Sequence, residues 1–582
     1  MHFFTPKDKL YRPIYHLMPS RLLTNKTLHT FLFALLIAYQ TIRLIVFANV
    51  HGGLEHDSGW FLGIARSLAE TGTYATLVST MQDPSVQAGY DVKNEFFQIQ
   101  DEQGKVVFMV GATVGPAQIV PDAIIIKLFG SGFWQFRTAS LLYYALFLGV
   151  ASWLLYSLGG LAAALLFQVY IFFYPHLSIF LGYESLAEVP VVLYVLLAYT
   201  LFAKANTVEH HRERRFFFSG VAAALALLSK AIALIPLSSL GILWVALFVR
   251  KKITFKDGFI TAAGALTVLL VWEVIRFVGI VRGYGFDIFW QQVSGRIEFF
   301  RLGTQSSGQG DQPGNDFFWY KFFLASEISH PGAILSALTL LIVFAAGPFL
   351  IWHFRRAQKF QNLVILLWGG WLVHTAWFLA AAQSGWVRRY WTALILAVLL
   401  LSLLWGVLLR QAKTKSGWLN WTLFVALTLV ISLNFFSQRQ AATLFISDAL
   451  VEKWYQQHLA AQRTRVPWSL VPRQAQQAMA DFIATLPESA RLFYPENHKS
   501  AEVATLTGHI LYPVQRRPLM QPAPNDVVVI GPSLISPWTK LNERPMTQAE
   551  RDGLVGGVIE RIKSECPHII FENSYYILCA LE

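Results

Sequence analysis

The chain has 582 residues, of which 54% are hydrophobic and only 14% are charged. Soluble domains carry about 25% charged residues, so this composition excludes a soluble protein and indicates one that crosses a membrane many times. The net charge of +12 requires no nucleic acid as partner, because residues 437–582 hold as many Lys and Arg as Asp and Glu and the excess lies in the apolar part, where membrane lipids with anionic headgroups are the expected partners.

The predicted elements begin with a cytoplasmic tail, residues 1–27, and continue with a long series of apolar segments. A membrane-spanning helix requires about 20 predominantly apolar residues. Eleven segments fit this length, and the count is open by one or two because residues 216–249 could form one broken helix. The segments are residues 28–48, 136–157, 161–182, 185–203, 216–232, 233–249, 258–281, 331–352, 361–382, 390–409 and 419–436.

The positions of Lys and Arg predict the orientation of these helices, because cytoplasmic loops carry an excess of both residues. With eleven spans and a cytoplasmic N-terminus, every basic cluster falls on the cytoplasmic side. The first span then serves as the targeting signal, and we expect a protein of the plasma membrane, the inner membrane of a bacterium. The clusters are residues 7–26, 204–215, 250–256, 355–359 and 410–415.

This orientation places two large parts outside the cytoplasm. The first is the loop 49–135, which we assign to the transmembrane domain 28–436. Its stretches 57–70 and 115–130 predict short amphipathic or apolar helices in the membrane interface.

The second outer part, residues 437–582, predicts a soluble α/β domain of alternating helices and strands that ends in a hairpin with a turn at 572–574. Its two cysteines, Cys566 and Cys579, either form a disulfide, as an oxidising compartment allows, or remain thiols.

The first candidate site residues lie in "HGGLEHDSGW", directly after the first apolar segment. Either Asp57 or Ser58 caps the following helix, or Asp57 holds a carboxylate at the membrane surface, and the two interpretations are compatible. Glu55 and His56 are either rim residues or ligands of a divalent metal, and their pattern alone is a weak metal signal.

Two further acids, Glu184 and Glu188, are four residues apart, which predicts that they share one face at the outer end of the fourth span. Acids at the start of an apolar helix are costly unless they face water, a partner or a site. Compensation of the helix dipole accounts well for Glu184 and less well for Glu188, which lies a turn deeper and is followed closely by Pro190.

Basic residues near the outer surface form the third group of candidates. Lys230 interrupts an apolar run and either extends to the surface or provides a countercharge for a phosphate. Arg388, Arg389 and Tyr390 lie in a short outer loop, against the inside bias of basic residues. They either anchor lipid headgroups or bind the phosphate of a lipid substrate through guanidinium contacts.

Taken in order, these segments resemble the membrane glycosyltransferases of the GT-C fold that use polyprenyl-phosphate sugars, akin to protein O-mannosyltransferases and the aminoarabinose transferase of lipid A. The resemblance covers roughly residues 28–400. The stretches that carry it are "HDSGWFLGIARSLAETGTY", "GPAQIVPDAIIIKLFGSGFWQFRTAS" with Arg137, "GYESLAEVPVVLYVLLAYTLF", "GVAAALALLSKAIALIPL" and "RRYW".

The resemblance implies a polytopic α-helical membrane protein of GT-C-like fold, with about 11 transmembrane helices and a C-terminal soluble α/β domain. It implies that a sugar moves from a polyprenyl-phosphate-linked donor to a lipid, glycan or protein acceptor on the extracytoplasmic face. Asp57 would act as general base, or bind the acceptor or a metal, with Glu188 and Glu184 as further acids. The donor phosphate would be held by Lys230, Arg388, Arg389, Tyr390 and Arg137.

The sequence departs from the family pattern beside the first acid. Ser58 stands where the family often has a second acid, so a two-acid metal site is not implied. No cofactor is certain, and a divalent metal is the one that remains open. "TVGP" lacks the Lys that often precedes the Pro pair, so another residue must supply one phosphate contact, for example Lys105.

Three other functions remain as alternatives. A transporter or flippase predicts broken helices in matching halves with a site at the bilayer midplane, whereas here the acids gather at the outer end. A surface-polysaccharide ligase would usually place its large outer loop late in the chain, whereas here it comes first. A non-catalytic assembly protein would use the outer domain to bind a partner.

Overall fold

The computed structural model describes residues 26–50, 53–54, 56–79, 99–101, 103–109, 114–173, 182–207, 211–306, 333–382, 387–414, 418–437, 473–494, 500–513, 525–531, 566, 568–573 and 575–580.

A bundle of long apolar helices makes up most of the described part. Its helices are α1 (Lys26–Val50), α4 (Gln135–Phe173), α5 (Glu188–Ala205), α6 (Arg212–Ser229), α7 (Leu234–Val249), α8 (Phe255–Tyr284), α9 (Phe286–Ser306), α10 (Ala333–His353), α11 (Gln358–Ala380), α12 (Val387–Thr414) and α13 (Trp418–Ser437). Two shorter helices lie between α1 and α4, namely α2 (His56–Thr71) and α3 (Pro116–Phe129).

Seven helices of the described part are long and apolar enough to cross a membrane: α1, α4, α5, α7 with the short 3₁₀ turn before it, α8, α11 and α12. Each of the eleven predicted segments lies largely within a helix, while the number that span stays a prediction. α12 is central, since 89% of its most apolar window is buried inside the protein, against 22% for α8. The outer face of α8 is therefore available to lipid.

Helix α4 is two antiparallel arms rather than one long rod. Gln168 donates a hydrogen bond to the Ser152 hydroxyl at 2.7 Å, although a straight helix would separate residues sixteen apart by about 24 Å. The chain reverses at Gly160, which has a φ of 76°. The predicted break between residues 157 and 161 is thus confirmed.

At one end of the bundle lies a mixed sheet of eight strands in the order β2-β3-β1-β5-β4-β6-β8-β7. The strands of the first loop are β1 (Ala75–Ser79), β2 (Ile99–Gln100) and β3 (Lys105–Val107), and the later strands are β4 (Leu492–Tyr494), β5 (Leu511–Pro513), β6 (Val527–Ile530), β7 (His568–Glu572) and β8 (Ile577–Ala580).

The sheet joins segments that are distant in sequence. Strand β1 pairs in parallel with β5, with Val78 opposite Leu511. Strand β1 lies in the predicted transmembrane domain and β5 in the predicted C-terminal domain, and whether the later part forms a domain of its own stays a prediction. The predicted closing hairpin is present as the antiparallel pair β7 and β8, and Cys566 and Cys579 form a disulfide.

Two helices cover this sheet end, α14 (Arg473–Ile483) and α15 (Ala501–Thr507). The apolar residues of α2 are buried between α3, α15 and β1, so protein covers the apolar face that the sequence placed in the interface. By contrast, α3 leaves Ile124, Leu128 and Phe129 more than half exposed, as a helix at a lipid surface requires.

Candidate functional site

The candidate site lies where the N-terminal ends of α2, α4 and α5 meet. At its centre, Glu184 accepts a hydrogen bond on Oε2 from Nη1 of Arg137 at 2.7 Å. The same oxygen contacts the hydroxyl of Ser58. The ion pair is buried completely, with 0% of the Arg137 side chain and 1% of the Glu184 side chain exposed, so each charge compensates the other inside the protein.

Arg137 also holds the chain segment that leads into α2. Its Nη2 donates to the carbonyl of Gly53 at 2.7 Å, and its Nη1 donates to the carbonyl of Tyr183 at 3.1 Å. Removing one partner of a buried ion pair typically costs about 3–5 kcal/mol, because the other is left uncompensated. This pair therefore fixes the segment before Asp57 relative to the chain before α5.

Asp57 stands in the first turn of α2, where the partial positive charge of the helix N-terminus favours a carboxylate. Its neighbour Ser58 is fully buried, and Glu184 and Glu188 are only 3% and 4% exposed, whereas Asp57 is half-buried. Asp57 is thus the most exposed of the three predicted catalytic acids. An acid that reacts with a substrate must be accessible in this way.

A second ion pair borders the site. Glu188 is the first residue of α5, and its Oε1 contacts Nζ of Lys230. That ammonium group also donates to the carbonyl of Leu186 at 3.1 Å. The Lys230 side chain is 13% exposed, so the pair brings a cation to the edge of the site.

Glu184 and Glu188 do not share a helix face, and that prediction is wrong. Helix α5 begins only at Glu188, because the preceding Ala187 has a left-handed φ of 65°. A non-glycine residue in this region costs about 1–3 kcal/mol and persists only where its surroundings impose it. The bend directs the two acids to different cations, Glu184 to Arg137 and Glu188 to Lys230.

Helix α3 closes the site from the side of the first loop. The amide of Gly115, which precedes α3, donates to the carbonyl of Ser229 at 2.8 Å. A Cβ at Gly115 would lie 2.1 Å from the carbonyl oxygen of Leu228. Only glycine allows this approach, which brings the start of α3 against the end of α6 beside Lys230.

A group of buried polar side chains connects α3 with α4 and with the chain segment before α5. Gln118 donates to Asp122 at 2.8 Å, and its amide lies 3.4 Å from the Ser140 hydroxyl. Ser140 in turn donates to the carbonyl of Glu184 at 3.2 Å and lies 3.3 Å from the hydroxyl of Ser185. The polar side chains of α3 thus reach the backbone that carries Glu184.

The structure describes the side chains of Arg389 and Tyr390 in the late basic cluster. Tyr390 is fully buried in the bundle and exchanges a hydrogen bond with Thr375 at 2.8 Å. Arg389 is half-buried, and its carbonyl lies 2.8 Å from Nε2 of His374. The side chain of Arg388 lies outside the described residues. Phosphate binding by these three residues stays a prediction.

Metal binding also stays a prediction. Within the described ranges, no group of three His, Cys, Asp or Glu residues stands close enough to hold a metal ion. Glu55 and the side chain of His56 lie outside those ranges. Glu184 faces Arg137 and the hydroxyl of Ser58, and Glu188 faces Lys230.

Several residues of the site were missed by sequence reasoning. The sequence predicts Ser58 only as a possible cap of the helix and as a departure from the family pattern, yet Ser58 contacts Glu184. Gln118 and Asp122 were not proposed at all. The signal was present, since they are a polar pair four residues apart in an otherwise apolar stretch, a spacing that places two side chains on one helix face.

Comparison with solved structures gives relatives over almost the whole chain. The crystal structure of ArnT from Cupriavidus metallidurans in the apo state matches with a TM-score of 0.55 and 14% identity, covering 95% of this chain and 98% of that one. ArnT bound to undecaprenyl phosphate has the same identity and coverage at a TM-score of 0.47. The archaeal oligosaccharyltransferase AglB from Archaeoglobus fulgidus, in complex with an inhibitory peptide and a dolichol-phosphate, matches at 0.39 and 10% identity, covering 83% of this chain and 64% of that one.

The similarity to apo ArnT shows the fold. The chain is an integral membrane protein with the GT-C fold of membrane glycosyltransferases, which confirms the resemblance read from its sequence. The other two similarities are weaker and add nothing to this conclusion. No protein-family model matches the sequence, and the curated proteins give no match either.

Proposed function

We propose that the protein transfers one sugar from a polyprenyl-phosphate-linked donor to an acceptor on the membrane face that carries the sheet, which we take to be the extracytoplasmic one. The observation that carries this proposal is the position of Asp57 in a chain with the GT-C fold. It is the most exposed acid of the site, and the segment before it is anchored by the buried pair of Arg137 and Glu184.

The proposed reaction is a single displacement at the anomeric carbon. The acceptor, a hydroxyl or an amine, gives up its proton to the carboxylate of Asp57 as it attacks that carbon. The bond from the anomeric carbon to the phosphate oxygen breaks, and polyprenyl phosphate leaves with the electron pair. General base catalysis of this kind contributes about 10²–10⁴-fold to a rate. One displacement inverts the configuration of the sugar.

The leaving phosphate needs positive charge close to it. Lys230 is the best candidate in the described part, because it lies beside Glu188 at the edge of the site and keeps some exposure. Arg388 and Arg389 are further candidates, and they lie in the first turn of α12 instead of the predicted loop. We assign Arg137 a positioning role instead of a phosphate contact, because it is fully buried and its charge is already matched by Glu184.

The test is donor turnover by purified full-length protein in nanodiscs. A panel of undecaprenyl-phosphate-linked sugars is incubated with membrane extracts as acceptor, and release of undecaprenyl phosphate is followed. We expect turnover by the wild type and a loss of about 10²–10⁴-fold in Asp57→Asn, whose amide cannot accept the proton. Glu70→Gln is the matched control, because it removes an exposed acid from the same helix.

Full turnover in Asp57→Asn would contradict the assigned base. Absence of release from every donor, with folded protein, would favour the transporter, ligase or assembly alternatives.

A further inference from the structure

A cavity of about 30 Å³ lies at the end of the bundle opposite the candidate site. It is bordered by α4, α5 and α11, and five of its lining residues are Trp153, Thr200, Lys204, Lys359 and Leu363. Lys204 is sixteen residues after Glu188 on α5, so the cavity is about 24 Å away from the acid site at 1.5 Å per residue. The cavity is therefore separate from the acid site and from the sheet.

Two lysines from different helices line this cavity. Lys204 comes from α5 and Lys359 from α11, and the charges of Lys359 and Arg215 both act on Lys204. In the described part of the chain, neither Lys204 nor Lys359 forms an ion pair with a carboxylate. Like charges repel, so an anion bound at the cavity would relieve this repulsion.

A buried hydroxyl points to the same conclusion independently. Thr200 lines the cavity and is only 7% exposed. Its Oγ1 is buried, and among the described residues it has no hydrogen-bond partner. Threonine in a helix commonly donates to a carbonyl one turn earlier, as Thr267 does to Ala263 in α8. The Thr200 hydroxyl remains able to donate to a ligand in the cavity.

The surroundings suit a lipid better than a soluble anion. Trp153 is 46% exposed, and Nζ of Lys204 lies 4.2 Å from the centroid of its ring. Tryptophan is enriched at the level of lipid headgroups. Leu154 and Leu363 also line the cavity, so a ligand there would have charged groups on one side and apolar side chains on the other.

We propose that this cavity binds the phosphate of an anionic lipid headgroup. Lys204 and Lys359 supply the positive charge, and Thr200 supplies a hydrogen bond to a phosphate oxygen. The lipid at this site is a structural partner at the end of the bundle that carries Lys204, and it is distinct from any sugar donor at the acid site.

The test measures lipid retention by the delipidated full-length protein with native mass spectrometry. Phosphatidylglycerol is the anionic probe and phosphatidylethanolamine the zwitterionic one, and inorganic phosphate is added as competitor. We expect one phosphatidylglycerol to bind in preference to phosphatidylethanolamine. In Lys204→Gln/Lys359→Gln its affinity falls by about tenfold or more, because each lysine near an anionic headgroup contributes about fivefold to binding.

Two matched controls separate this site from general surface charge. Lys252→Gln removes an exposed lysine from another of the predicted cytoplasmic clusters and should change the affinity by less than about twofold. Thr200→Val keeps the shape but removes the hydroxyl, and it should weaken phosphatidylglycerol binding, whereas Thr267→Val on α8 should not.

Three results would overturn the proposal. The first is equal retention of the two lipids, and the second is an equal loss in Lys252→Gln and in the double variant. The third is competition by inorganic phosphate at concentrations similar to those of the lipid, which would identify a site for the free anion. Sugar transfer is not measured here, so the outcome is independent of the proposed function.

Discussion

Acidic side chains are buried around the candidate site, and they are stabilised in different ways. Glu184 faces Arg137, and Glu188 faces Lys230. Asp122 is also buried, but in the part of the chain that the structure describes it has no cation within ion-pair distance. A buried carboxyl without a countercharge takes up a proton more readily than an exposed one, so Asp122 should differ from the other two in its response to pH.

Burial raises the pKa of Asp122 to about 7, although hydrogen bonds from Gln118 and Ser185 and the charge of Arg137 act to lower it. The folded protein therefore holds this proton in a pH range where the unfolded chain has released it. Stability from the protonated carboxyl is complete below the ordinary aspartate pKa of 3.8 and is lost as the pH rises through about 7.

Asp122→Asn should remove this dependence, because the amide stays neutral at every pH. We expect the apparent melting temperature of the variant to rise relative to wild type as the pH increases from about 5 to 8. At the upper end, the free energy of unfolding of the variant should exceed that of wild type by on the order of 2–4 kcal/mol. Thermal unfolding in nanodiscs at the two pH values measures this. Asp481→Asn removes an exposed acid on α14 and should show no such change. If the melting temperatures of Asp122→Asn and wild type differed by the same amount at both pH values, the raised pKa of Asp122 would be contradicted.

The sequence identified which polar residues were unusual but not which of them would meet. Asp57, Glu184, Glu188 and Lys230 stood out because ionisable groups at the ends of apolar helices are costly. Their pairing depends on the left-handed turn at Ala187, and nothing in the local sequence requires an alanine to adopt that conformation. The helix pattern alone therefore placed the two glutamates on one face, although they face different cations.

Among the helices, the reversal within α4 depends on one residue. A Cβ at Gly160 would lie 1.9 Å from Nη2 of Arg410 on α12, and the backbone there has a φ of 76°. Arg410 Nη1 lies 3.5 Å from the carbonyl of Leu158, just before the turn. The arginine of the central helix thus packs directly against the turn, and the positive φ is what requires glycine there.

Gly160→Ala should therefore destabilise the protein strongly. The backbone at Gly160, with a φ of 76° and a ψ of −172°, lies in a region that is essentially limited to glycine and costs another residue about 1–3 kcal/mol, and the Arg410 side chain would also have to move aside. Gly241→Ala in α7 is the matched control, because a Cβ there meets no atom within 4 Å, and it should stabilise the helix by about 0.5–1 kcal/mol. Apparent melting temperatures of the two variants measure the contrast, and equal values would show that Gly160 does not set the reversal.

The apolar helices were predictable because their pattern is local. Length and composition alone located the helical segments, including the break at Gly160, and the predicted strand and helix stretches after residue 473 are present as β4, α15, β6 and the final hairpin. The pairing of β1 with β5 was not predictable. Such pairing depends on contacts between residues more than four hundred positions apart, which no local pattern records.

In the whole molecule, the long loop between α1 and α4 and the C-terminal part form one structure around α2. Beyond the shared sheet, α2 packs closely against α15, where the Thr505 hydroxyl contacts the carbonyl of Gly59. On the other side of α2, Gln476 donates to the carbonyl of Leu54 at 2.9 Å and accepts from its amide at 2.6 Å. The C-terminal part therefore supports the helix that carries Asp57 instead of only covering it.

Gly59 is the closest point of this contact, and its substitution tests the arrangement. A Cβ at Gly59 would lie 2.4 Å from the amide nitrogen of Glu502, and backbone cannot move aside as a side chain can. At Gly63, one turn later, the nearest atom is the Thr505 hydroxyl at 3.0 Å, which can rotate. Gly59→Ala should thus cost about 1–3 kcal/mol and Gly63→Ala clearly less.

Hydrogen exchange in α15 should rise in the first variant only, because α15 must separate from α2 to admit the methyl group. Equal exchange in the two variants would mean that α15 does not rest on Gly59, and the support of Asp57 by the C-terminal part would then have to come from Gln476 alone.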